Sequence, residues 1–134
     1  MRNIRRLALI VLALLLVAQP ITAVQAQTYD FQVPKEDVTV YVNADGSLSL
    51  DYYITFSNSS SGDPIDIVDI GMPNYSYSIG SMTADIDGQT LSDIRDSEYV
   101  HPGVEVHLDN SAIASGKTGT LHLYVGQVDY ALGK

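Results

Sequence analysis

Leu48, Ser49, Leu50, Asp51, Tyr52, Tyr53, Ile54, Thr55, Phe56 and Ser57 follow one another in strict alternation of apolar and polar character. Successive side chains of an extended chain point to opposite faces, so Leu48, Leu50, Tyr52, Ile54 and Phe56 share one face. Ser49, Asp51, Tyr53, Thr55 and Ser57 occupy the other. One greasy and one wet face is the pattern of a half-buried antiparallel strand. Upstream, from Asp37, the same period of two sets Val38, Val40 and Val42 against Thr39 and Tyr41, and Asn43 to Gly46 supplies the turn between the two strands. A Ser-rich loop from Asn58 to Pro64 closes the second strand.

The rest of the chain repeats this language at intervals of about ten residues. Ile65 to Ile70 is a short β-branched run stopped by Gly71 and Pro73, and Tyr75, Tyr77 and Ile79 alternate with serines. Met82, Ala84 and Ile86 alternate again before Asp87 and Gly88, a favoured hairpin pair, and Gln89 to Ile94 reads as the return. Arg95 to Gly103 reads as a polar connection, followed by a strand in which Val104, Val106 and Leu108 oppose Glu105, His107 and Asp109. The last strand runs from Thr120 to Val125 with Leu121, Leu123 and Val125 on one face. About seven strands of this kind predict an all-β protein, an antiparallel β-sandwich of immunoglobulin-like type, its alternating apolar positions forming the inner walls of two stacked sheets. Neither cysteine nor tryptophan is present, so only the architecture of that fold is expected.

The N-terminus carries a different signal. Arg2, Arg5 and Arg6 precede the unbroken apolar run Leu7 to Ala18, Pro20 follows, and Val24, Gln25 and Ala26 offer small residues for cleavage. This is the three-part layout of a secretory signal peptide. At 1.5 Å per residue the apolar run reaches about 18 Å, well short of a bilayer core of roughly 30 Å. The expected organisation is a signal peptide over residues 1–26, a lead-in over 27–36, a β-sandwich over 37–126 and a tail over 127–134 that fades without a closing strand, as in a fragment of a longer protein. The expected location is extracytoplasmic, secreted or in the cell envelope, with membrane attachment only through an uncleaved signal or a segment beyond the tail.

Seven basic residues face sixteen acidic ones, and loss of residues 1–26 removes three arginines and no acid, leaving a charge of −12. Such a charge repels nucleic acid and anionic membrane surfaces at long range and excludes them as main partners. Without cysteine there is no disulfide framework and no lipid attachment site.

Candidate chemistry is sparse. Gly116, Lys117 and Thr118 resemble the end of a phosphate loop, but Ser111 stands where the spacing requires glycine and a strand follows instead of a helix. Asp85, Asp87 and Gly88, like Asn43, Asp45 and Gly46, fit hairpin turns better than calcium loops, since the flanking ligand positions hold Thr83 and Ile94, or Tyr41. Asp63, Asp66 and Asp69 are the acids from which a calcium site across loops would be built. His101, His107 and His122 are the only histidines; His107 and His122 are expected on the outward faces of strands that could pair. No serine sits in a strand-to-helix elbow, so no nucleophile, base and orienting group can be named together, and neither catalytic residues nor a cofactor are expected. Tyr75 and Tyr77 are the candidate contacts for a ligand or partner, as aromatic rings that stack on sugars or anchor proteins, although their phase with Ile79 also suits simple coverage of a sheet face. Asn58-Ser59-Ser60 and Asn74-Tyr75-Ser76 match the glycosylation acceptor pattern, which matters only in a eukaryotic secretory pathway.

Val38 to Phe56, with its Asn43-Ala44-Asp45-Gly46-Ser47 turn and its Tyr53-Ile54-Thr55-Phe56 ending, resembles the start of an uncharacterised family of bacterial membrane proteins. Ile65 to Gly71 and Ile113 to Val125 are similar to the later strands of that family's exported region. The resemblance implies an exported β-sandwich ahead of one or more membrane segments, and implies no activity and no site residues. The expected role is a non-catalytic module of a secreted or envelope protein, structural or protein-binding, meeting a cell-surface protein. The alternatives are a carbohydrate-binding module that takes a glycan and an accessory domain of a secreted hydrolase. The oligomeric state is left open by the sequence.

Overall fold

The computed structural model describes residues 27–132, so the signal-peptide reading of residues 1–26 lies outside the described residues. Eight strands form two antiparallel sheets: β1 (Phe31–Val42), β2 (Leu48–Asn58), β3 (Ile67–Gly71), β4 (Met82–Ile86), β5 (Gln89–Leu91), β6 (Ile94–Asp96), β7 (Gly103–His107) and β8 (Thr118–Val128). The larger sheet has the order β1-β2-β8-β4-β5 and the smaller the order β3-β7-β6. Among the described residues the only helical elements are short 3-10 turns at Ile79–Ser81 and Asp109–Ser111, and no helix is long and apolar enough to cross a membrane.

Two hairpins behave as their sequences require. Asn43 to Ser47 closes β1 onto β2 with Gly46 at φ 84°, and Asp87 and Gly88, at φ 49° and 84°, join β4 to β5. Positive φ suits Gly and, less readily, Asp, which is why these dipeptides mark the turns. Between hairpins the chain crosses repeatedly from one sheet to the other, and the apolar faces meet. Leu50, Leu121, Leu123 and Val125 of the larger sheet pack on Val104 and Val106 of the smaller, all at most 2% exposed. Each such side chain withdrawn from water contributes about 1.5–3 kcal/mol, and together they hold the layers face to face.

Five sequence expectations about the strands change. Strand β1 begins at Phe31, not Asp37, because backbone pairing with β2 continues through a register shift between Gln32 and Lys35 that Pro34 and the charges of Lys35, Glu36 and Asp37 disguise as a loop. Strand β8 continues past Val125 to Val128, which is fully buried opposite Leu48. An irregularity between those two paired positions moves the next inward residue from two to three places along, so the alternation hides it. The return after Gly88 ends at Leu91, and Ile94, with Arg95 and Asp96 of the expected connection, forms a short strand on β7; Tyr75 to Ile79 forms no strand, and Tyr77 makes a single bridge to Val128.

The valine face of β1 departs furthest. Val38, Val40 and Val42 pair with Tyr52, Leu50 and Leu48 in β2, on the inward side of the sheet, yet they are 43%, 52% and 64% exposed. The smaller sheet has three strands against five, and its strand β3 meets β1 only across a groove shared with Phe31, Val33 and Glu36 of the N-terminal half. These valines line no inner wall.

Candidate functional site

All twelve residues of β1 are exposed. The strand is tied to the protein along one side only, by β2, and its backbone direction follows from the turn. Asn43 donates its N–H to Ser47 O at 2.9 Å and its carbonyl accepts from Gly46 N at 3.0 Å, so the polar groups of Asn43 face β2. Backbone groups alternate sides along an antiparallel strand. Counting back from Asn43, Tyr41, Thr39 and Asp37 face β2, while the N–H and C=O groups of Val42, Val40, Val38 and Glu36 point to the free edge. The valines therefore present both an apolar side chain and an unpaired backbone edge.

Beneath the N-terminal half of β1 lies a groove of about 450 Å³, lined by Tyr29, Phe31, Val33, Ile54, Phe56 and Ile65 among others. It opens where β1 overhangs the smaller sheet. Phe31 meets Phe56 edge to face, with centroids 5.6 Å apart. Tyr29 spans the opening, its hydroxyl donating to Asp66 Oδ1 at 2.7 Å; burial, and then the Asp66 hydrogen bond and charge, push its pKa up to about 12. The lead-in is pinned further by Thr28 N–H donating to Asp63 Oδ2 at 2.7 Å and by Asp63 N–H donating to Thr28 O at 3.0 Å.

The outer face of the larger sheet carries a second arrangement. His122 of β8 lies between β2 and β4, with Nδ1 2.8 Å from Asp85 Oδ2 and Nε2 2.7 Å from Asp51 Oδ1. Its ring stacks on Tyr53 at a centroid distance of 4.2 Å and an interplanar angle of 4°. Burial pulls the His122 pKa down, but hydrogen bonds and charge from Asp85 and Asp51 outweigh it, and the net shift is upward from the ordinary histidine value. An imidazolium donating from both nitrogens suits this geometry. Because both nitrogens face carboxylates, neither is free to take a proton from a hydroxyl, and the group holds charge on the sheet instead of serving as a general base.

On the smaller sheet Glu105 is 8% exposed, with Oε1 2.8 Å from His107 Nε2. That hydrogen bond, opposed by burial, holds the Glu105 carboxyl below the usual range. Ser97, also buried, donates to Asp69 and accepts from Val100 N at 2.8 Å and Tyr99 N at 3.1 Å, which folds the connection between β6 and β7 back over the sheet. The strands of His107 and His122, β7 and β8, lie in different sheets and do not pair, and neither histidine is fully exposed as expected. The crossover after β7 sends β8 to the other sheet, so each histidine meets carboxylates of its own layer.

Tyr75 and Tyr77 come together with His101 around a hollow of about 570 Å³. Tyr75 is 72% exposed, whereas Tyr77 packs against the core, its single hydroxyl proton shared between Asp96 Oδ1 at 2.8 Å and Gly103 O at 3.0 Å. Burial first, then Asp96, raise the Tyr77 pKa to about 12. The acidic residues of the calcium reading are spread over separate tasks: Asp63 and Asp66 hold the lead-in, Asp69 holds Ser97, Asp85 holds His122, and Asp87 Oδ1 accepts Thr120 N–H at 3.0 Å. Among the described residues no group of three or more His, Cys, Asp or Glu is placed to hold a metal ion. Asn58 is buried, its Nδ2 donating to Asp63 O at 2.9 Å and Ile113 O at 3.0 Å, so its acceptor pattern is closed to glycosylation in the folded chain.

Sequence reasoning missed the Asp51, His122 and Asp85 cluster and the free edge. The cluster joins residues 71 and 37 apart in the chain, and only strand neighbourhood brings them together. Comparison with protein families, with curated proteins and with solved structures finds no match to this chain.

Proposed function

We propose that the chain is an exported, non-catalytic β-sandwich module of immunoglobulin-like type, part of a secreted or cell-envelope protein, whose work is to bind another polypeptide along the free edge of β1. The observation that carries this is the contrast between edges. Strands β5 and β6 are three residues long and β3 is five, the short edges that limit strand addition; β1 is the longest edge, with twelve residues, all exposed. Recognition of this kind uses backbone hydrogen bonds for affinity and alternate side chains for selectivity. Export is supported by the layout of residues 1–26, and the charge of −12 over the remainder disfavours nucleic acid as partner.

A photo-crosslinking side chain at Val40 in the full-length protein, expressed in its own host, tests the reading. A discrete protein adduct at Val40, absent with the same probe at Thr90 on the opposite edge, is the expected result. Folded, extracytoplasmic protein that gives no adduct at any position from Val38 to Val42 would refute it, and N-terminal sequencing should begin at Gln27.

A second reading, glycan binding, is favoured by one observation, the exposed ring of Tyr75 beside the hollow it shares with Tyr77 and His101. Glycan-array binding lost in Tyr75→Ala would support it, and a blank array would dismiss it. Tyr75 is the informative position, since Tyr77 is committed to packing and to Asp96 and Gly103.

A further inference from the structure

We propose that the strand which completes the β1 edge is β1 of a second copy of this chain, paired antiparallel about a two-fold axis through Val40, so that two larger sheets join into one. This rests on the reading of β1 as a binding edge and adds the identity of the occupant. The backbone sets the first condition. The outward-facing residues are the even-numbered ones, and a two-fold through Val40 pairs Val40 with its own copy and Val38 with Val42, all from that set. About six inter-chain backbone hydrogen bonds result, two for each of three pairs.

Side chains set the second condition. Val38-Thr39-Val40-Tyr41-Val42 is near-palindromic, so the axis lays valine beside valine on the inward face and Thr39 beside Tyr41 on the outer. These are the β-branched and aromatic cross-strand pairs that stabilise sheets. No charge falls within the five residues, whereas Pro34, Lys35, Glu36 and Asp37 break up the other half of the strand.

Charge supplies the third. Two copies at −12 repel, so a self-pairing register must avoid setting acid against acid. About Val40 the paired strand ends at Val38 and Val42, so Glu36 and Asp37 lie beside the partner's Asn43 to Ser47 turn and not beside each other's copies, and Asp37 keeps its own ion pair with Lys35, the one basic residue of β1, at 2.7 Å. Moving the axis to Asp37 would put that carboxylate against itself. A contact of one strand edge belongs to the small, transient class of interfaces, so the dimer should dissociate in the micromolar range and tighten with added salt as the long-range repulsion is screened.

The chain contains no cysteine, which permits a direct test on the exported protein. In Val40→Cys the two thiols meet at the axis with Cα atoms about 5.5 Å apart, inside the range a disulfide spans. In Lys35→Cys they stand about ten residues apart along the strands, roughly 33 Å. Mild oxidation should convert most of Val40→Cys to a covalent dimer and leave Lys35→Cys monomeric. Sedimentation velocity should show a concentration-dependent dimer weakened at least tenfold by Val40→Lys, with circular dichroism confirming that this exposed substitution leaves the sheets intact. Equal crosslinking at both positions, or a wild-type monomer at all concentrations with Val40→Cys unlinked, would overturn self-pairing. If the photo-adduct at Val40 then contains a different polypeptide, the binding-edge reading stands without the dimer; if there is no adduct either, both fall.

Discussion

Replacing His122 with glutamine should cost stability in a way that depends on pH. In the folded chain the imidazole lies 2.8 Å from Asp85 and 2.7 Å from Asp51, and its pKa is raised. A hydrogen bond to a charged group contributes about 1.5–3 kcal/mol when well buried. Here the side chains of His122, Asp51 and Asp85 are 24%, 22% and 33% exposed, so solvent screening reduces the pair together to about 1–2 kcal/mol. Because the folded pKa exceeds the ordinary value near 6.5, the protonated ring is favoured by folding; its stabilisation is complete below about pH 6.5 and is lost as pH rises through the folded pKa. Glutamine removes the titration and keeps a single amide donor. Thermal unfolding of both proteins at intervals from about pH 5.5 to 9 should show the largest gap at the acid end, at about 4–8 °C for each kcal/mol, narrowing as pH rises. A gap independent of pH, or a His122 midpoint at or below about 6.5 in an NMR titration, would show that the two carboxylates do not hold the ring protonated.

Two further substitutions probe the frame that holds the edge in place. Asn58→Asp replaces an amide donor with an oxygen facing Asp63 O and Ile113 O inside the protein, and should destabilise by about 3 kcal/mol or more in denaturant unfolding, whereas Asn58→Ala should cost about 1–3 kcal/mol. Leu123→Ala empties a fully buried site at the centre of the larger sheet and should cost about 2–5 kcal/mol, while the exposed Val38→Ala should stay within about 0.5 kcal/mol.

Features set by neighbouring residues can be read directly from the chain. The alternation from Leu48 to Phe56 required a strand with one buried face, and the turns at Asn43–Gly46 and Asp87–Gly88 were legible because few residues tolerate positive φ. Where a strand carries an irregularity, as β1 does after Gln32 and β8 between Val125 and Val128, the period slips and the alternation no longer marks the strand. Tertiary structure alone decided which strands lie side by side, and therefore where His107 and His122 went and which acids they met. It also decided that the valines of β1 stay about half exposed or more. Alternation records that a face is apolar and carries no record of what covers it, because cover is supplied by residues far along the chain; here β1 is an edge strand with every residue exposed, and a pattern that reads as core becomes an open edge.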